Sequence, residues 1–388
     1  MEGHPFLRWL EQGIGFLLVL FVLLDVFLTV LYARVGSGII SHHLACWTWW
    51  LFRTASRPFN RWRDTILCFC GPVILVLLLT TWVVGLTCGA AMVIHPKLGT
   101  SVGATSPSPP GGFVAAVYVA GNTLSTVGTS DFAPKTSFYR LLYTINSFVG
   151  ISVITLTVTY LLEIYNALQR RNTFALKLHM ASGETGDAAE LVAGLGPQGH
   201  FEPGYTHLAE MGAEMASFKE SHHFYSVLLY FRFREPHYAV SRIALVTLDA
   251  ISLMKSALDD RQYGWVKQSA AVDQLWRGSM HLMTLLASAF LPGGLPQSPG
   301  DPDDQATEQW RHRYFAAVRR LRQAGLRTMP DEAAGAEVYV SLRARWDRYI
   351  RAIAEHMAHD LGTIDRPAAD PDAADERQEF STRLRSAG

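Results

Sequence analysis

The chain has 388 residues, of which 49% are hydrophobic and 18% charged, with 34 basic and 34 acidic side chains. Zero net charge removes any bulk attraction for nucleic acid, and the apolar excess, crowded before residue 170, rules out a wholly soluble protein. The four cysteines, Cys46, Cys68, Cys70 and Cys88, lie in or beside apolar segments without disulfide or zinc spacing.

The first predicted element is the apolar run 13–32, GIGFLLVLFVLLDVFLTVLY, long enough to cross about 30 Å of hydrocarbon. It is too long, and its flank too weakly basic, for a signal peptide. Asp25 lies inside it. A carboxylate at that depth faces protein or water: it is an ion-path or sensor residue, a hydrogen-bond acceptor for a neighbouring helix through Thr80 or Thr81, or a protonated acid. Residues 39–58 are too short an apolar run to span. Their Trp47, Trp49, Trp50 and Phe52 beside arginines suit a helix lying in the membrane interface, as an anchor or as a collar on a gate. A second span is predicted over 65–94, with a bend near Gly71-Pro72, and a third over 137–168.

Arg34, Arg53, Arg57, Arg61 and Arg63 crowd the connection between the first two spans, and Arg170, Arg171 and Lys177 follow the third. Only Lys97 precedes the pore segment on the other side, with Lys135 and Arg140 against the trend. The bias of basic residues toward the cytoplasm therefore predicts an outside N-terminus and a cytoplasmic C-terminal half. The composition suits a bacterial inner membrane.

Between the second and third spans, residues 98–111 are rich in Gly, Ser and Pro and read as a loop without a fold of its own. Residues 112–123 read as a short helix, followed by TLSTVGTSDF at 123–132. This segment resembles the selectivity filter of the tetrameric potassium channel superfamily, usually T-x-x-T-V-G-Y-G-D. Thr123, Thr126, Val127, Gly128 and Asp131 stand where the pattern wants them, while Thr129 replaces the tyrosine and Ser130 the second glycine.

The resemblance implies an ion path along Thr126, Val127, Gly128, Thr129 and Ser130, with K+ held at Thr126 to Thr129 by carbonyls and a hydroxyl that replace its water shell. It implies filter support from Tyr118, Asn122, Thr123 and Asp131, and a hinge at Gly150, nineteen residues after Asp131, where a close helix crossing is the alternative. Ile151, Ile154, Val158 and Leu162 would line the cavity and gate, with Glu163 near the inner mouth. One pore segment per chain implies a homotetramer in contact with membrane lipids. A non-glycine residue at Ser130 costs roughly 1–2 kcal/mol if the backbone there is left-handed, so permeation of Na+ beside K+ stays open, as does a non-conducting scaffold or sensor.

From 171 onward helices are predicted near 204–234, 237–260, 264–291, 304–325 and 332–360, followed by a disordered tail from 366. GLGPQG at 194–199 matches a dinucleotide-binding spacing but lacks the strand that motif requires. His207, His222 and His223 near Glu220 read as structural or surface residues, with a metal or proton sensor as the alternative, and RHRYFAAVRRLR at 311–322 as a solvated face or subunit contact. No nucleophile, carboxylate pair or phosphate loop has the spacing of an enzyme, no cofactor is implied beyond the permeant ion, and no ligand of the helical half is identified. The expected fold is an all-α membrane protein. An N-terminal transmembrane helix with an interfacial helix (1–64) precedes a pore-loop domain (65–170), a helical cytoplasmic domain (171–365) and the tail (366–388).

Overall fold

The computed structural model describes residues 5–32, 34, 38–59, 61–105, 112–128, 132–291 and 304–365. Three of its helices are long and apolar enough to cross a membrane, Phe6–Leu31, Arg63–Lys97 and Ser137–Ala181, and the all-α membrane class holds. The tail from 366 lies outside the described residues. The chain divides into two units, Met1–Asn166 with Phe224–Phe231, and Ala167–His223 with Arg232–Gly388.

In the first unit, α1 (Pro5–Val26) runs on through a π-helical turn, Phe27–Leu31. It crosses α4 (Cys70–Ile94) at Gly15 and Gly89. A β-carbon on Gly15 would lie 2.6 Å from the Gly89 carbonyl oxygen, so the backbones meet only because both side chains are missing. Between them come α2 (Ile39–Ala55) and the short α3 (Arg63–Cys68). The second span is broken at Phe69, and Pro72 falls in the first turn of α4, where its missing N–H costs nothing.

Asp25 is 0% exposed and gathers four donors. Trp82 Nε1 (2.9 Å), Ser41 Oγ (2.7 Å) and the backbone N–H groups of Ile40 (2.8 Å) and Ser41 (3.5 Å) all point at its carboxylate. Ile40 and Ser41 lie in the first turn of α2, whose own N-cap, Gly38, has no side chain to offer. A carboxylate from α1 therefore caps α2 and meets the positive end of its dipole. Thr80 and Thr81, the partners expected from sequence, instead donate to the carbonyls of Val76 and Leu77 one turn back, as hydroxyls in apolar helices commonly do. Trp49 of α2 is buried, while Trp47, Trp50 and Leu51 are exposed on its other side.

Two short strands interrupt the helices. β1 (Val102–Ala104) pairs antiparallel with β2 (Phe132–Pro134), joining Val102 to Pro134 and Ala104 to Phe132. Part of the outer loop expected to lack a fold of its own is thereby tied to the residues just after the TVGTSD segment. Between the strands stands α5 (Gly112–Leu124), and after them α6 (Ser137–Ala181), 45 residues and about 68 Å long. The boundary between the units falls inside this unbroken helix, after Asn166.

The second unit is built from α7 (Ala188–Leu195), α8 (Glu202–Phe224), α9 (Val240–Ala257), α10 (Asp260–Lys267), α11 (Ala270–Phe290), α12 (Asp304–Gln323), α13 (Glu332–His356) and the single turn α14 (Leu361–Ile364). Every residue of α9 except Lys255 is buried, as an all-round apolar helix at the centre of a bundle must be. Its Asp249 is held by Tyr339 Oη (2.5 Å), Arg343 (3.2 Å) and Arg313 (3.0 Å). Arg313 and Arg343 also pair with Asp365, which ties the end of the described chain to the core.

Several predicted boundaries shift. The helix expected over 204–234 stops at Phe224, and the one over 264–291 is two, because the Ser269 hydroxyl accepts from the Val272 N–H and caps a new start at Ala270. Pro236 opens a 3-10 turn, and α9 begins only at Val240. The basic run 311–322 is not simply a solvated face. Arg313 is enclosed with Asp249 and Asp365, and Arg320 forks onto Glu190. GLGPQG forms the end of α7 and a 3-10 turn, with no strand before it.

Two predictions follow from these burials. Asp25→Ala leaves buried donors without an acceptor and is expected to cost about 3 kcal/mol, against about 1 kcal/mol for Trp82→Phe; thermal unfolding in detergent reads both. Burial and nearby arginines push His222 and His359 down to about 3, from Arg171 for the first and from Arg232 and Arg171 for the second. Both are neutral when folded, whereas the unfolded chain takes up protons near pH 6.5. Stability is therefore complete above that pH and falls as pH drops toward 3, by about 2 kcal/mol per histidine at pH 5. His222→Phe should flatten the slope measured between pH 7 and 5.

Candidate ion pore

The candidate pore starts from α5, thirteen residues rich in Ala and Val that pack against α4. Ala115, Ala116, Val119 and Ala120 form a close-packed core with Ala90, Ala91 and Ile94 of α4, closed by Val102, Phe132 and Tyr139. Small side chains let α5 lie tightly on α4, so its C-terminal end is set by a rigid wall.

That end is pinned to α6. Asn146 Nδ2 donates to the Thr123 hydroxyl (2.6 Å), which passes its own proton toward the Ala120 carbonyl (2.8 Å). Ser147 Oγ lies 2.9 Å from the Thr123 carbonyl. A β-carbon on Gly150 would collide with the Leu124 carbonyl oxygen. Asn146, Ser147 and Gly150 share one stripe of α6 at helical spacing, and the glycine is explained by this close approach. The helix runs through Gly150 without a break, so the crossing reading accounts for it.

Beyond Leu124 the chain leaves the helix and is exposed from Ser125 to Gly128, with Val127 at 76%. Thr126 has φ 60° and Gly128 φ 82°. Positive φ is ordinary for glycine. For a β-branched threonine it is an outlier, costing roughly 1–2 kcal/mol, of the kind that collects at functional sites. The strain expected at Ser130 thus has a counterpart at Thr126; Thr129, Ser130 and Asp131 lie outside the described residues.

Of the expected supports, Thr123 is buried in the network just described. Asn122 Nδ2 is buried and makes no hydrogen bond among the described residues. Tyr118 is exposed on the surface of the unit. Ile151, Ile154, Val158 and Leu162 are all exposed along α6, and Glu163 is half-buried. Asp25 is far from this constellation in role: its carboxylate is consumed by the cap of α2 and by Trp82. Sequence reasoning missed Asn146 and Ser147. Their signal was available, since they are adjacent polar residues three and four positions before Gly150 in the third span.

Among the described residues no three His, Cys, Asp or Glu side chains converge as a metal site. His222 packs edge-on to Phe218, its Nδ1 3.1 Å from that residue's carbonyl. A cavity of about 420 Å³ is floored by Phe174, Leu178, Leu191 and Leu195, but its rim charges are matched: Lys177 on Glu214 (2.5 Å) and His207 near Glu210 (3.7 Å).

Comparison with known proteins points the same way as the geometry. Residues 73–166 match the model of a family described as "Ion channel". The match takes in α4 from Val73, α5, the TVGTSD segment and α6 as far as Asn166, where the first stretch of the first unit also ends. Over 248 residues, 64% of this chain and 70% of the relative, the sequence is 25% identical to the uncharacterized membrane protein YdjJ of Bacillus subtilis (strain 168). No solved structure matches. The chain is thus an all-α membrane protein whose residues 73–166 are similar to an ion channel family.

Asn146→Ala should cost about 1–2 kcal/mol by leaving the Thr123 hydroxyl without its donor. Gly150→Ala should cost more, because the Leu124 carbonyl must move with the whole end of α5. Thermal unfolding monitored by tryptophan fluorescence tests the order, and a Gly150→Ala midpoint equal to wild type would contradict the crossing.

Proposed function

We propose that this chain is the pore-forming subunit of a homotetrameric potassium channel. The observation that carries the reading is T-x-x-T-V-G-x-x-D placed after a short helix whose end is hydrogen-bonded to the following span through Thr123, Asn146 and Ser147. Four copies of the segment close a ring, with the Thr126 hydroxyl and the carbonyls of Thr126 to Thr129 replacing the water around K+. The negative ends of four α5 dipoles favour a cation on the axis. Exposure of Val127 and of the stripe Ile151, Ile154, Val158 and Leu162 in the single chain is what an axis-facing surface requires.

Tyr118, Asn122 and Asp131 support the filter, Tyr118 from a surface available to a neighbouring subunit. Glu163 enriches cations at the inner mouth. The basic residues place the N-terminus outside and the second unit in the cytoplasm of a cell membrane, whose lipids meet Trp47 and Trp50 of α2. The protein is not an enzyme, needs no cofactor and binds no nucleic acid; the second unit assembles or gates the pore.

A second reading, a channel passing Na+ and K+ alike, is favoured by Thr129 and Ser130, which remove the aromatic packing and the glycine of the usual outer filter. The bi-ionic reversal potential of purified protein in planar bilayers decides between them. We expect reversal near the potassium equilibrium value. Reversal near zero that moves toward potassium in Thr129→Tyr/Ser130→Gly would establish the second reading, and absence of current under every condition would sink both.

A further inference from the structure

The chain leaves the second unit after His223, contributes eight residues, Phe224–Phe231, to the first unit, and re-enters the second at Arg232. These residues, FYSVLLYF, were expected to continue a helix. Instead Ser226–Tyr230 form a 3-10 turn, and Val227, Leu228, Leu229, Tyr230 and Phe231 are all buried. Such an excursion, with both ends anchored elsewhere, costs backbone entropy that only well-packed contacts offset.

The contacts fall on three helices. On α4, a β-carbon at Gly71 would lie 2.8 Å from the Phe231 ring, so the first turn of that helix is cut away to admit it. On α2, Tyr230 packs on Trp49 with ring centres 5.9 Å apart, and its hydroxyl lies 3.6 Å from Cys46 Sγ. On α6, Tyr225 meets Tyr160 edge-on (6.0 Å) and Phe231 meets Tyr165 in the same way (6.2 Å), both favourable ring geometries. Tyr160 rests in turn on Trp82 (6.4 Å), the donor to Asp25.

Tyr160 and Tyr165 lie in the same turns of α6 as Val158 and Leu162. Tyr160 is buried, whereas Val158 and Leu162 are exposed on another side of the helix. A lean of α6 that opened or closed a path along Val158 and Leu162 would have to break the ring contacts or carry Phe224–Phe231 with it. We infer that Phe224–Phe231 is a strap through which the second unit positions the end of α6 remote from the filter, with Tyr225 and Phe231 as the positioning residues and Gly71 as the seat of Phe231. The inference rests on the pore reading above and adds to it the element through which that pore is controlled. With the strap docked, α6 is clamped against α2 and α4; displacement of the strap frees it.

The test uses full-length protein in liposomes, comparing wild type with Tyr225→Ala, Phe231→Ala and Gly71→Leu, with Gly71→Ala as the milder change if a larger one fails to assemble. The alkylation rate of Cys46, in a background with Cys68, Cys70 and Cys88 replaced by Ala, reports whether Tyr230 still covers it. The three variants should speed alkylation and raise flux per assembled channel about fivefold, the shift that loss of one aromatic contact gives a two-state equilibrium. The reversal potential should not move, and Tyr225→Phe should behave as wild type. Faster alkylation with unchanged flux would make the strap purely structural and overturn the inference while the pore reading stands. Unchanged alkylation, or a shifted reversal potential, would overturn it too. No flux from wild type or any variant would bring down the pore reading itself.

Discussion

Burying a carboxylate in an apolar helix is among the most expensive things a membrane protein can do, and Asp25 shows how the expense is offset. Its two oxygens collect a tryptophan N–H, a serine hydroxyl and two backbone N–H groups from a helix start. Each donor would itself be costly to bury without an acceptor. The arrangement fixes three helices at one point: α1 supplies the acceptor, α4 the indole, and α2 its uncapped N-terminus. Because α4 also forms the wall on which α5 lies, the position of the C-terminal end of α5 traces back through Ala90, Ala91 and Ile94 to the packing that Asp25 and the Gly15–Gly89 crossing hold in register.

The same accounting recurs around Thr123. A helix that ends inside protein leaves its last carbonyls without intrahelical donors. Here α6 answers with Ser147 at the Thr123 carbonyl and Asn146 at its hydroxyl, and with a glycine where the Leu124 carbonyl comes too close for any side chain. The anchored end of α5 is what allows Thr126, immediately beyond it, to hold a left-handed backbone. Strain persists only where surrounding structure over-determines it. In the second unit, Asp249 and its arginines solve the corresponding problem with full charges, in a core where α9 is enclosed on all sides.

Much of the membrane unit was legible in the chain itself. Hydrophobic length set the three spans, the tryptophan-rich run marked α2, and the apolar stretch 112–123 marked the short helix α5. The less legible parts share a cause. The acceptor that caps α2 and the indole that helps hold it are 57 residues apart, and no local pattern distinguishes Trp82 from its neighbours Thr80 and Thr81. The helix breaks at Phe224 and Ser269 fall where helical propensity continues on both sides, so tertiary contacts and one hydroxyl cap decide them. The run 311–322 reads as a solvated face until Asp249, Glu190 and Asp365 arrive from distant positions.

By itself, the sequence determined what depends on composition, length and short spacing: an all-helical membrane protein, three spans, a short helix between the second and third, and a polar helical second half. Those features follow from the solvent each stretch can tolerate, a property summed over neighbouring residues. Tertiary structure alone decided which buried polar group meets which, where Gly150 and Gly71 must be bare, and that FYSVLLYF joins the first unit to pack against Tyr160 and Tyr165. Pairings of this kind are selected by the cost of leaving a donor, a charge or an aromatic face unmatched in a dry interior, and that cost exists only once the chain has folded.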